Sequence, residues 1–110
     1  MYKRQRIQTS LDLEDLAECD LVVEAIPEVL DLKTSTFNRL DAICKPSTIL
    51  ASNTSSISIN TIAEFTSRPE RVIGMHFMNP VPIMKLVEVI NGTQTTELVT
   101  SEVILSLIHI

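Results

Sequence analysis

The chain has 110 residues, with 14 acidic side chains against 9 basic ones and a formal charge of −5, so it lacks the basic footprint that nucleic-acid binding needs. A hydrophobic content of 45% suits one globular domain or part of one, and no apolar run approaches the roughly 20 residues that cross a bilayer. Cys19 and Cys44 are far apart and form no CxxC unit. Reduced, partly buried thiols in a soluble, cytoplasmic protein are therefore expected, rather than a zinc site or a redox pair.

In chain order, Met1–Gln5 comes first and reads as foreign. "MYKRQ" back-translates as GTG TAT AAG AGA CAG, and Leu105–Ile110, "LSLIHI", as CTG TCT CTT ATA CAC ATC, one the inverted complement of the other. That DNA resembles the transposon end used to tag sequencing libraries. The genuine insert is then expected to run from Arg6 to Ile104, with residues 1–5 and 105–110 as translated adapter and His76 as the sole histidine left.

Within the insert, "LDLEDLAECD" carries acids in its opening turn after Thr9 and Ser10 and predicts a short capped helix. "LVVEAI", Leu21 to Ile26, predicts a buried strand stopped by Pro27. From Val29 to Cys44, Phe37, Leu40 and Ile43 recur at helical spacing before Pro46. "TILASN", Thr48 to Asn53, is the next strand, and Ser58 is placed to cap a helix whose Ile59, Ile62 and Ala63 share a face. "SRPER" breaks that helix, "RVIGMHF" and "LVEVI" predict two more strands, and "TTELVTSEVI" opens another helix. Apolar runs alternating with helical patterns predict the βα units of an α/β domain.

His76 and Glu88 lie in two of these apolar strands, roughly 40 Å apart if the chain were extended at about 3.3 Å per residue. The connection "MNPVPIMK" changes that. Pro80 and Pro82 cannot donate to a sheet ladder, so one strand ends and the chain turns back before the next. Folding back brings the carboxylate to the imidazole, and each supplies what the other lacks in an apolar setting. On the residues alone, a catalytic pair and a structural pair both remain open.

"VVEAIPE", "ILASNTSS" and "GMHFMNPVPIMKLVEVI" occur in an order and spacing that closely resemble the NAD-binding domain of short-chain L-3-hydroxyacyl-CoA dehydrogenases, the 3-hydroxybutyryl-CoA enzymes above all. The resemblance covers nearly all of the insert. It implies a partial Rossmann-like, doubly wound, mostly parallel sheet and the oxidation of a 3-hydroxyacyl-CoA with NAD or NADP, in a full-length protein that is a homodimer closed by a separate helical domain. It implies that His76 is the catalytic base and that Glu88 orients its imidazole. Ser55 and Asn79 fall on the polar groups around the reacting oxygen and the nicotinamide, with Ser55 also touching substrate, and Glu28 and Lys33 fall near the cofactor ribose.

Each supporting residue has a plainer reading too. Ser55 is also suited to free amides at a helix start, Asn79 to a turn, and Glu28 and Lys33 to a solvated helix face. Met75, Met78 and Met84 read as core or pocket lining, with core preferred. Lysine-dependent dehydrogenases of the same broad class would have to use Lys85. A multifunctional fatty-acid oxidation protein carries the same motifs, and a noncatalytic NAD-binding relative would share the fold.

One departure from the resemblance stands out: the insert holds only Gly74 and Gly92, so the opening strand with its Gly-rich, pyrophosphate-binding turn is not in this stretch. Neither is the helical domain. The stretch is expected to be marginal by itself, aggregation-prone and without dehydrogenase activity.

Overall fold

The computed structural model describes residues 7–78 and 86–109. Asn79, Pro80, Pro82, Met84 and Lys85, all singled out above, lie outside the described residues.

Among the described residues, four strands and three α-helices make up the fold: β1 (Leu21–Glu24), α1 (Leu30–Ile43), β2 (Ile49–Ser52), α2 (Ile59–Ala63), β3 (Val72–Phe77), β4 (Val87–Asn91) and α3 (Glu97–His109). The sheet order is β1-β2-β3-β4. The first two pairings are parallel and the third is antiparallel. This is the mostly parallel α/β sheet expected from the sequence, with the last strand reversed because the chain returns directly after β3.

Side-chain alternation along each strand divides the core into two layers. Val22, Leu50 and Val72 face one side and pack with Phe37 and Leu40 of α1 and Ile59, Ile62 and Ala63 of α2. Ile49, Ala51, Ile73 and Met75 face the other and pack with Val99 and Val103 of α3. Burial of each of these large side chains is worth about 1.5–3 kcal/mol, and the sheet is covered on both faces, as parallel strands require. Met75 belongs to this core, in keeping with its preferred reading.

Three local expectations are corrected. The "LDLEDLAECD" helix is only a 3₁₀ turn over Leu13–Leu16, capped by Asp12, whose carboxylate accepts the Glu14 amide at 3.2 Å. Thr9 and Ser10 do not cap it, because the Asp12 carboxylate takes the free amide instead. Ser58 occupies the N-cap position of α2 but its hydroxyl makes no capping bond. Thr54 Oγ1 instead accepts the amides of Ile57 at 3.0 Å and Ser56 at 3.4 Å, closing the turn that leads into α2.

"SRPER" does more than break a helix. It forms a 3₁₀ turn at Pro69–Arg71, and the nearly buried Arg68 before it plugs the C-terminus of α1. Its guanidinium donates to the carbonyls of Asp41, Cys44, Lys45 and Thr48 and to the Asp41 carboxylate. Helix ends leave carbonyls without partners, and α1 has no basic residue in its own last turn, so Arg68 supplies the donors from a distance.

Cys19 and Cys44 are both free thiols, and Cys44 is buried, which pushes its thiol above the usual range. At the C-terminal end α3 continues through Leu105, and Leu107 packs against the second core layer. An apolar run extends a helix whatever DNA encodes it; codons at these positions are what test the adapter reading.

Candidate active site

Of the described residues singled out by sequence, Glu28, Ser55 and His76 lie at the C-terminal ends of the parallel strands or in the loops beyond them, Lys33 in the first turn of α1 and Glu88 on β4. In open α/β sheets the C-terminal edge is where ligands bind. Glu24 of β1 pairs with Ser52 of β2 in register, and Ser52 pairs with Gly74 of β3. His76 lies two residues further along β3, on the same face.

His76 and Glu88 are direct cross-strand partners of the antiparallel β3–β4 pair. The imidazole Nδ1 stands 3.0 Å from Glu88 Oε1. The return of the chain anticipated from the proline-rich connection therefore brings the two groups into contact. A carboxylate accepts, so Nδ1 carries the proton that it donates, and the neutral ring keeps its lone pair on Nε2. The imidazole is 25% exposed and the carboxylate 54%, so the pair borders solvent rather than sitting in the core. Among the described residues Nε2 has no protein partner.

The backbone holding His76 is pinned from β2: Asn53 Oδ1 accepts the Phe77 amide at 3.0 Å. Gly74 is needed on the same face. A Cβ there would meet Ile59 Cδ1 and Ile90 Cβ, both at 3.0 Å. Its absence lets the start of α2, and the serine-rich loop before it, settle close over the sheet beside β4. A cleft of about 300 Å³ opens there, lined by Ser55, Ser56, Asn60, Ile90 and Asn91 among others.

Glu28, Lys33 and Ser55 form a second group. Glu28 Oε2 accepts from Thr54 Oγ1 and Ser56 Oγ at 2.9 Å each and from the Ser55 amide at 3.2 Å, with Ser55 Oγ at 3.5 Å. Desolvation raises the Glu28 carboxyl, but bonds from Thr54, Ser56, Lys33 and the Ser55 amide outweigh it and bring it down to about 2. Ser55 is exposed, and its hydroxyl leans on Glu28 instead of capping a helix.

Lys33 is not on a solvated face. It is fully buried; its ammonium donates to Glu24 Oε2 at 2.5 Å and to the Ile26 carbonyl at 3.0 Å, and it forms an ion pair with Glu28 Oε1 at 3.2 Å. Its structural role is to hold Glu28 against the loop. Sequence reasoning missed Glu24, Ser52, Thr54 and Asn53; the one available signal was a glutamate and a serine closing strands that are otherwise apolar. Asn79 lies outside the described residues.

The donor set fits a dinucleotide at this edge. An ionised carboxylate accepts from sugar hydroxyls, and Glu28 Oε1 keeps acceptor capacity beyond its bond to Lys33. Glu28 and Ser55 are the described residues that would hold such a group. No cluster of metal-ligating side chains occurs among the described residues, and no described helix is long and apolar enough to cross a membrane.

Comparison with known proteins gives the family. The family model described as "3-hydroxyacyl-CoA dehydrogenase, NAD binding domain" matches residues 2–108. A probable 3-hydroxybutyryl-CoA dehydrogenase of Bacillus subtilis is 61% identical over 92 residues, covering 84% of this chain and 32% of the relative. The 3-hydroxybutyryl-CoA dehydrogenase of Clostridioides difficile is 52% identical over 101 residues, covering 92% and 36%. The crystal structure of (S)-3-hydroxybutyryl-CoA dehydrogenase from Ralstonia eutropha superposes with a TM-score of 0.92 at 46% identity, covering 94% of this chain and 37% of that one. The chain thus spans about a third of the length of these relatives. It belongs to the NAD-binding domain of the 3-hydroxyacyl-CoA dehydrogenase family of oxidoreductases.

Proposed function

We propose that this chain is the part of a full-length, homodimeric dehydrogenase that carries the proton-transfer machinery for oxidising a (S)-3-hydroxyacyl-CoA, such as 3-hydroxybutyryl-CoA, to the 3-oxoacyl-CoA. The observation that carries the reading is the contact of 3.0 Å between His76 Nδ1 and Glu88 Oε1 at the ligand-binding edge of the sheet.

Bound NAD supplies the acceptor for the hydride that leaves C3 of the substrate. Loss of hydride from a carbinol builds positive character at carbon unless the hydroxyl proton leaves as well. His76 takes that proton on Nε2, the carbon–oxygen bond becomes a carbonyl, and the imidazole becomes a cation. Glu88 holds the ring in the tautomer that leaves Nε2 free, and its charge faces the cation as it forms. Ser55 offers a hydroxyl toward the reacting oxygen and the nicotinamide end, and Glu28 an acceptor for the cofactor ribose. In the reverse direction the same imidazole returns the proton to the 3-oxo group.

The test is reduction of acetoacetyl-CoA by NADH with the full-length enzyme and its His76→Gln variant. A parental protein that turns over and a variant that folds but has lost turnover bear out the reading. Equal rates would dismiss His76 as the base.

A further inference from the structure

Glu24 is an almost fully buried carboxylate that the proposed reaction does not touch. It ends β1, and every one of its contacts leads toward the site. Ser52 Oγ donates to Oε1, while Lys33 Nζ and the Ile26 amide donate to Oε2 at 2.5 and 2.8 Å. Lys33 in turn reaches Glu28 Oε1 at 3.2 Å, and Glu28 Oε2 gathers Thr54, Ser55 and Ser56. The chain of contacts crosses from the end of β1, through the first turn of α1, to the loop between β2 and α2.

We propose that Glu24 is a positioning residue for Ser55, acting through Lys33 and Glu28 to fix the serine-rich loop against the reacting centre. A buried lysine bonded to Glu24 and the Ile26 carbonyl does not swing, so the Glu28 carboxylate paired with it is held at a set height over the loop. Thr54 is 2% exposed and closes the turn from within, which leaves Ser55 little freedom besides that of its own rotamer. The inference rests on the role given to Ser55 above.

The test is a double-mutant cycle in the full-length enzyme, reading kcat and KM for acetoacetyl-CoA reduction alongside thermal unfolding, with Glu24→Gln, Ser55→Ala and the double variant. Misplacement of a reacting group by about 1 Å costs up to roughly 100-fold. Glu24→Gln is expected to lose about 10- to 100-fold in kcat, with the double variant no worse than Ser55→Ala alone. A purely structural Glu24 would lower the unfolding temperature and leave the kcat of the folded enzyme intact; parental kcat, or losses that multiply, would overturn the proposal. If Glu24→Gln does not fold, Ser52→Ala, which removes the donor to Glu24 Oε1, enters the same cycle, and losses that multiply there overturn it equally. Parental behaviour of Ser55→Ala would remove the reading of Ser55 and this inference with it, whereas an impaired Ser55→Ala beside a parental Glu24→Gln removes this inference alone.

Discussion

Two charged pairs stand on the same face of the sheet and differ in what they leave uncommitted. Glu24 and Lys33 are buried, and the lysine is committed to Glu24, the Ile26 carbonyl and Glu28. His76 and Glu88 sit at the solvent border, with one ring nitrogen engaged and the other without a partner among the described residues. A fully satisfied pair fixes geometry and does no chemistry. A half-satisfied one at a ligand edge has a lone pair to spend on a proton. The contrast separates positioning from catalysis better than burial or charge alone.

The sharpest way to break this contrast is at His76 and Glu88, the pair proposed to be catalytic. In the full-length enzyme His76→Gln should lower kcat by about 10²–10⁴-fold, or roughly 3–5 kcal/mol of barrier, with little change in unfolding temperature. Glu88→Gln should lose less, and the two losses should not add, because Glu88 works only through the imidazole.

At the buried pair the loss should appear in stability. Lys33→Met leaves Glu24 buried without its cation and should destabilise by about 3–5 kcal/mol in urea unfolding. Adding Glu24→Gln should recover part of that loss. If Lys33→Met unfolds like the parent, the two pairs do not differ as described.

Gly74→Ala probes the packing of α2 against β3 and β4. The added methyl must displace Ile59 or Ile90, and overpacking of this kind costs about 1–3 kcal/mol. Activity should fall with it, since the shift opens the loop over the sheet.

The smallest effect concerns Glu28. Its carboxyl is lowered from an ordinary value of 4.5 to about 2, so the ionised form is favoured by folding. The stability it contributes is present in full above pH 4.5 and is lost as the pH falls toward 2. Asp41, lowered by Ser67 and Arg68 against its own desolvation, acts with the same sign. Glu28→Gln should therefore be less stable than the parent at pH 7, with the gap closing on acidification; a gap that persists to pH 2 would mean that the charge is not its cause.

How much of this was legible in the sequence depended on the range of the contacts. Strands and helices followed from local periodicity, and the His76–Glu88 contact from a short return through prolines, with no long-range partner to guess. The Glu24–Lys33 pair was hidden because it joins a strand to a helix through an intervening loop, a geometry that no fixed spacing announces. Arg68 was hidden for a similar reason. Its partners on α1 and the following loop are distant in sequence, so "SRPER" read only as a breaker. Competition among neighbouring caps misled as well: Asp12 and Thr54 took amides that Ser10 and Ser58 were equally fitted to accept.

The most direct measurement is the tautomer of His76 in the neutral, full-length enzyme. It is read from nitrogen-15 chemical shifts and long-range ring couplings, with the resonance assigned by its disappearance in His76→Gln. Donation from Nδ1 to Glu88 requires the proton on Nδ1 and a bare Nε2, and Glu88→Gln should disturb that preference. A proton found on Nε2 would contradict the account, because the nitrogen that must accept the substrate proton would already be occupied.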